Sequence, residues 1–169
     1  SGTVIFSEEY KKLINGIERS DSFCFNAHKT LGTPLSTSIF VVRDQNDLMA
    51  SFSNDANYLY QTDSNQYNLG KTSFECGRRN NALKFWTLWK SVGTNGLGKM
   101  VEHNYNLAKI AYKYVSENSN YKLYSEKNSL SICFNYKNNN PVDLCTKLYE
   151  QNKLLVGYGE HKGEQFIRL

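Results

Sequence analysis

The chain has 169 residues, of which 40% are apolar and 21% charged, with a formal net charge of +4. That is the composition of a globular protein long enough to bury a core. No Lys/Arg run exceeds two residues, which argues against a nucleic-acid partner, and no apolar run approaches the ~20 residues of a membrane span.

Cys24, Cys76, Cys133 and Cys145 are spread along the chain without a CxxC pair, and the histidines are scattered. Neither a metal site nor a disulfide framework is expected, and a reduced, cytoplasmic compartment is. The amino terminus carries no secretory pattern. The first residues are Ser-Gly and the last five, Gln165 to Leu169, read as a strand, so the expectation is a piece of a longer protein.

In chain order, Asp21–Asn26 alternates as a short strand and ends at the polar Asn26-Ala27-His28-Lys29. Ser38–Arg43 is a β-branched run that fits a buried strand, with Gly32 and Pro34 punctuating the turn between the two. Residues 51–76 form a long polar stretch with little periodicity, a length that in a compact domain is functional or disordered. Ala82, Phe85, Trp86 and Trp89 then recur at helical spacing, widened by Leu83 and Leu88, and Gly93 closes the helix. This aromatic stripe is expected in the core. A second helix is predicted from about Asn95 to Val115, with Leu97, Met100, Val101, Ala108, Ala111, Tyr112 and Val115 on one face.

The remainder changes character. Leu130–Tyr136 alternates as a strand, Asn138–Pro141 breaks it, and Val142–Gln151 is a short helix candidate. Lys153–Tyr158 and Glu164–Leu169 are expected to pair as a hairpin across Gly159–Gly163. The chain from about residue 112 thus reads as the start of a small α+β domain.

The chemistry centres on Asn26, His28 and Lys29. A lysine at a strand end can form a Schiff base with an aldehyde cofactor if its amine is partly neutral. Asn26 and His28 beside it can donate hydrogen bonds to a phosphate. A His-Lys pair alone is more often an ordinary surface pair.

The wider context is more specific. Ile17–Ser22, then Asn26-Ala27-His28-Lys29-Thr30-Leu31-Gly32-Thr33-Pro34-Leu35 and Ser38, resembles the lysine region of the group II pyridoxal-phosphate-dependent amino-acid decarboxylases. The usual family pattern is Asn-Pro-His-Lys, so Ala27 replaces a proline and no reacting group is lost. Tyr58-Leu59-Tyr60-Gln61 and Asp63 are similar to the family's catalytic loop. Cys76-Gly77-Arg78-Arg79 followed by Ala82–Trp86 is similar to its Gly-Arg-Arg helix start, and Gly163–Leu169 to its carboxy-terminal Asn-Phe-Phe-Arg segment. Asn68-Leu69-Gly70-Lys71 departs from the Asp-Thr-Gly-Asp-Lys stretch of glutamate-decarboxylase-like chains and is shorter.

The resemblance implies an α/β fold: residues 1–111 as the end of the large domain of an aspartate-aminotransferase-type (fold type I) enzyme, and 112–169 as part of its small carboxy-terminal domain. It implies pyridoxal 5'-phosphate bound through a Schiff base to Lys29, with His28, Asn26 and Gly77 around the cofactor. Tyr58 would protonate the substrate after CO2 leaves, and Arg168 would pair with a substrate carboxylate. As plain alternatives, Tyr58 is one of many loop tyrosines and Arg168 a strand-end partner in a surface salt bridge.

The implied assembly is a cytoplasmic homodimer, together with the amino-terminal half of the enzyme. That half carries the family's acidic partner of the pyridine nitrogen, its ring-stacking histidine and most of its phosphate loop, so the chain alone is expected to be inactive. The expected substrate is an acidic L-amino acid: glutamate, aspartate or cysteine sulfinate. A diamino or aromatic substrate, and a non-catalytic truncated module, are the competing readings.

Overall fold

The computed structural model describes residues 2–52, 72, 75, 77 and 79–169. Two compact units divide the chain, Ser1–Val101 and Glu102–Leu169.

The first unit opens with three 3-10 turns, Gly2–Phe6, Lys11–Ile14 and Ile17–Arg19. Strand β1 (Ser22–Asn26) leads directly into a single helical turn, α1 (Ala27–Thr30), and the chain returns as β2 (Ser38–Val42). The strands are antiparallel, with Phe25 opposite Ile39 and Asn26 opposite Ser38. Their two-residue period buries Phe25 and leaves Cys24 exposed. The segment between the strands was expected to be a polar loop; its first four residues form α1 instead. Ala27 and Leu31, four apart on a helical turn, are both buried and anchor it. A helix α2 (Gln45–Phe52) follows. The expected loop from residue 51 lies mostly outside the described residues, and so do Tyr58, Tyr60, Asp63, Cys76 and Arg78.

Helix α3 (Asn81–Ser116) is broken at Gly93, whose φ of 69° and ψ of 174° are not helical. The two predicted helices are therefore present on either side of that glycine. Asn80 Oδ1 accepts the Leu83 N–H at 3.3 Å near the amino end. Gly77, expected at the helix start, precedes Asn81 by four residues and is exposed.

Up to Val101 the helix belongs to the first unit, where Phe6, Phe25, Phe85 and Trp89 form an aromatic cluster with ring centroids 5.3 to 6.2 Å apart. Leu97 and Val101 are buried with Val4 and Leu31. The expectation of a fully buried stripe needs correction: Trp86 is 58% exposed and Leu83 53%. Their spacing is helical, but among the described residues it is the Phe85 and Trp89 edge of the stripe that meets other rings. Gly98 lets the helix backbone lie against the first turn; a Cβ there would stand 2.6 Å from the Phe6 carbonyl oxygen.

In the second unit the end of α3 is followed by β3 (Tyr121–Leu123), β4 (Cys133–Tyr136), α4 (Pro141–Glu150), β5 (Gly157–His161) and β6 (Glu164–Arg168). The sheet is antiparallel in the order β3-β4-β6-β5. Ala108, Val115 and Ile132 are its buried centre, with Tyr112, Leu123 and Phe134 packed on them. The expected helix starts at Pro141, behind an Asn140 cap whose Oδ1 accepts the Val142 and Asp143 N–H groups at 2.9 and 3.2 Å.

The expected hairpin is present but displaced. Its first strand begins at Gly157 rather than Lys153. Its turn is the pair Lys162 (φ 52°) and Gly163 (φ 78°), between the matched His161 and Glu164. Two left-handed residues in succession make the tight turn whose twist suits a hairpin. Pairing register sorts the side chains: Leu123, Phe134 and Ile167 share one face, Cys133 and Arg168 the other.

No helix among the described residues is long and apolar enough to cross a membrane. Among those residues no group of three His, Cys, Asp or Glu side chains converges as a metal site.

Candidate active site

Asn26 ends β1 at the last rung of the β1–β2 ladder, and Ser38 faces it. The Ser38 hydroxyl donates to Asn26 Oδ1 at 2.6 Å. This commits the amide oxygen and leaves the NH2 group as the available donor. One residue later the backbone turns into α1, with Ala27 held in the core.

His28 is fixed by Thr37, the residue before β2. Its Nδ1 stands 3.0 Å from the Thr37 amide nitrogen and 2.9 Å from the Thr37 carbonyl oxygen, and the main-chain N–H of His28 donates to that carbonyl at 3.4 Å. A single ring nitrogen can serve one of these partners at a time. When it accepts from the amide, the ring proton sits on Nε2. Either way Nδ1 is occupied by the main chain and Nε2 is the nitrogen that can meet a ligand.

Thr37 is itself buried, and its hydroxyl donates to the Pro34 carbonyl at 2.7 Å. Gly32, with φ 67°, takes the left-handed conformation that turns the chain out of α1. Thr30, at the end of α1, shares a 2.8 Å hydroxyl contact with Thr3.

Lys29 projects from the turn so anchored and is exposed. The structure therefore brings Asn26, His28 and Lys29 together on one strand end. It adds Thr37, which the sequence reading did not single out. The available signal was a hydroxyl-rich Ser36-Thr37-Ser38 run immediately before a strand, within reach of a preceding strand end. Beside this hairpin a groove of about 670 Å³ is lined by Thr37, Ser38, Phe40, Arg79, Phe85 and Trp86 among others. A volume of that size is within the range of small-molecule clefts. Gly77 is exposed, and Tyr58 lies outside the described residues.

Arg168 belongs to the second unit, on β6, opposite Cys133 on one side and Gly157 on the other. It is exposed and makes no ion pair among the described residues. The carboxylate nearest along its own strand face, Glu164, is taken by Lys122 Nζ at 2.7 Å. That hydrogen bond holds the Glu164 carboxyl below the usual range and the Lys122 ammonium above its own. Tyr124, beside this pair, is raised chiefly by burial.

The donor set fits a phosphorylated aldehyde: a primary amine for the carbonyl carbon, and an imidazole and an amide for anionic oxygens. Comparison with known proteins gives the same chemistry. The family described as "Pyridoxal-dependent decarboxylase conserved domain" matches residues 1–137. Acidic amino acid decarboxylase of Mus musculus is 29% identical over 96% of this chain and 34% of its own length. Human cysteine sulfinic acid decarboxylase is 30% identical over 79% of this chain and 28% of its own. The chain thus spans about a third of the length of the curated relatives it matches.

Among solved structures, mouse CSAD superposes with a TM-score of 0.85 at 24% identity, over 100% of this chain and 39% of that one. Oryza sativa TDC with PLP and tryptamine gives 0.88 at 22%, over 99% and 37%. The expected α/β fold is the fold of these decarboxylase chains, here represented by a portion. With a family match over most of its residues, the chain belongs to the pyridoxal-dependent decarboxylases.

Proposed function

We propose that these residues belong to an enzyme that removes CO2 from an acidic L-amino acid (glutamate, aspartate or cysteine sulfinate), with pyridoxal 5'-phosphate held by Lys29. The observation that carries the reading is the exposed Lys29 on a turn where the His28 ring is fixed by Thr37 at 3.0 Å. Relatives named for acidic amino acids and for cysteine sulfinic acid support the substrate class.

When bound, the cofactor supplies a sink for the electron pair that loss of CO2 leaves on the substrate. The chain's own residues do the holding and the proton work. The Lys29 amine holds the carbonyl carbon. His28 Nε2–H and the Asn26 NH2 bind phosphate oxygens, and their other polar atoms are already occupied by Thr37 and Ser38. The side chains are thus oriented before a ligand arrives. Gly77, without a side chain, lets backbone approach the cofactor. Tyr58, assigned on sequence resemblance, would return a proton from its phenol to the substrate Cα. Arg168 meets a substrate carboxylate with the paired N–H groups that a guanidinium offers and an ammonium does not.

The reading includes a homodimer in the cytoplasm, supported by the sequence resemblance alone. It also holds that these residues without the rest of the enzyme release no CO2.

The test is borohydride reduction of the full-length protein with pyridoxal phosphate, followed by peptide mapping and by CO2 release from a panel of acidic, aromatic and diamino acids. The expected result is a reduced adduct on Lys29, lost in Lys29→Ala, with turnover confined to the acids. An adduct on another lysine, or turnover of aromatic acids alone, overturns the proposal.

A further inference from the structure

Strand β5 carries glycines at 157 and 159, opposite Arg168 and Phe166 of β6. Residues directly opposed on antiparallel strands project to the same face, with Cβ atoms about 4.5–5.5 Å apart. Any side chain at 157 would therefore stand beside the stem of Arg168, and any at 159 beside the Phe166 ring.

A glycine inside a strand weakens it and calls for a cause, such as a bulge, a bend or a close approach. At 159 the cause is local, because a Cβ would meet the Phe166 ring at 3.0 Å. At 157 the described residues supply none. Its backbone is not in the left-handed region, and pairing runs without interruption from Gly157–Arg168 to His161–Glu164. A Cβ would find nothing nearer than the Arg168 carbonyl oxygen at 3.8 Å, an ordinary contact.

What the glycine leaves is open space on one flank of an arginine that no acid neutralises among the described residues. Glu164, on the same face of β6, is already held by Lys122 at 2.7 Å. The α-carboxylate of an amino acid is the group that departs as CO2. A cation that selects acids must therefore meet the side-chain carboxylate, and the two-point match needs the guanidinium edge to be approachable.

We infer that Gly157 is a specificity-determining position: its missing side chain leaves room for the side-chain carboxylate of an acidic substrate beside Arg168. The inference rests on the carboxylate-binding reading of Arg168.

The experiment uses the full-length, cofactor-loaded enzyme with Gly157→Val, Gly157→Ser and, separately, Arg168→Lys, measuring KM, kcat and thermal unfolding for each. Valine suits a strand and fits the space, so unfolding should not move down. The expected result is a rise in KM for the acid of about fivefold or more in Gly157→Val, a smaller rise in Gly157→Ser, and kcat nearly unchanged. Selectivity for the acid over a neutral amino acid of similar length should fall in the same order. If Arg168→Lys raises KM and Gly157→Val does not, the inference is overturned while the role of Arg168 stands. An unchanged KM in Arg168→Lys overturns that role and the inference with it. A large fall in thermal stability in both Gly157 variants would show that the strand needs the glycine for itself, and would also overturn it.

Discussion

Replacing Gly98 by alanine sets two effects of opposite sign against each other. In an exposed helix, Gly→Ala stabilises by about 1 kcal/mol, because alanine loses less backbone freedom. At this position the new Cβ would lie 2.6 Å from the Phe6 carbonyl oxygen, and ordinary contact begins at 3.4 Å, so about 0.8 Å must be found. The opposing atom belongs to backbone and cannot rotate away. Overpacking of this kind costs about 1–3 kcal/mol.

Displacing Phe6 also disturbs its ring contacts with Phe25 and Trp89, at 5.8 and 5.5 Å, each worth about 0.5–1.5 kcal/mol. Steric cost and lost ring contacts together outweigh the propensity gain, and the net expectation is destabilisation by about 1–3 kcal/mol. Urea unfolding followed by tryptophan fluorescence is the suitable assay, since both tryptophans, Trp86 and Trp89, lie in the first unit. With a slope of about 1–3 kcal/mol/M the midpoint should fall by roughly 1 M. A variant as stable as the parent, or more so, would refute the close approach of helix and first turn.

Two further predictions concern titrating groups of the second unit. Glu164 is held below its usual range by Lys122, so its contribution is full above the unfolded value of about 4.3 and is lost as pH falls through the lower folded value. Lys122, held above its usual range, contributes fully below about 10.4 and loses that as pH climbs through the raised value. Glu164→Gln should therefore reduce thermal stability between these limits and flatten both ends of the pH profile, less so in high salt. Profiles of equal shape for parent and variant would refute it. Burial pushes the Cys145 thiol up, so at about pH 8 in the folded protein iodoacetamide should leave it unmodified while alkylating the exposed Cys24. Peptide masses showing Cys145 labelled as fast as Cys24 would contradict its burial.

The break at Gly93 was legible because a glycine interrupts a helical period, and the helix after Pro141 because an apolar repeat follows the Asn138–Pro141 break. Much of the candidate site was legible for a different reason. A contiguous run such as Asn26–Lys29 keeps its residues together whatever the fold, and the alternation of β1 places it at a strand end.

The hydroxyl-rich run marks Thr37 as a candidate, but its role was not legible, since its approach to His28 depends on how the chain returns from Gly32. Three other features escaped for physical reasons. Strand β3 is only three residues long and exists through pairing with β4. Helix α1 is one turn, too short to show a period. The second half of β5, from Gly159, read as part of the turn, because strand formation there is imposed by β6 rather than by local preference. Trp86 shows the limit of periodicity, which marks an apolar face but does not say what covers it.

The two cross-links that close the segment between β1 and β2, Ser38 to Asn26 and Thr37 to His28, also have an entropic side. Bringing together the ends of a flexible loop of roughly ten residues costs about 2 kcal/mol, beyond a constant term. Because those ends are joined by the protein's own groups, that cost falls on folding and not on the arrival of a ligand at Lys29. A molecule binding there needs to organise little except itself, and its affinity should depend weakly on changes in the stretch from Leu35 to Ser36 so long as both cross-links survive.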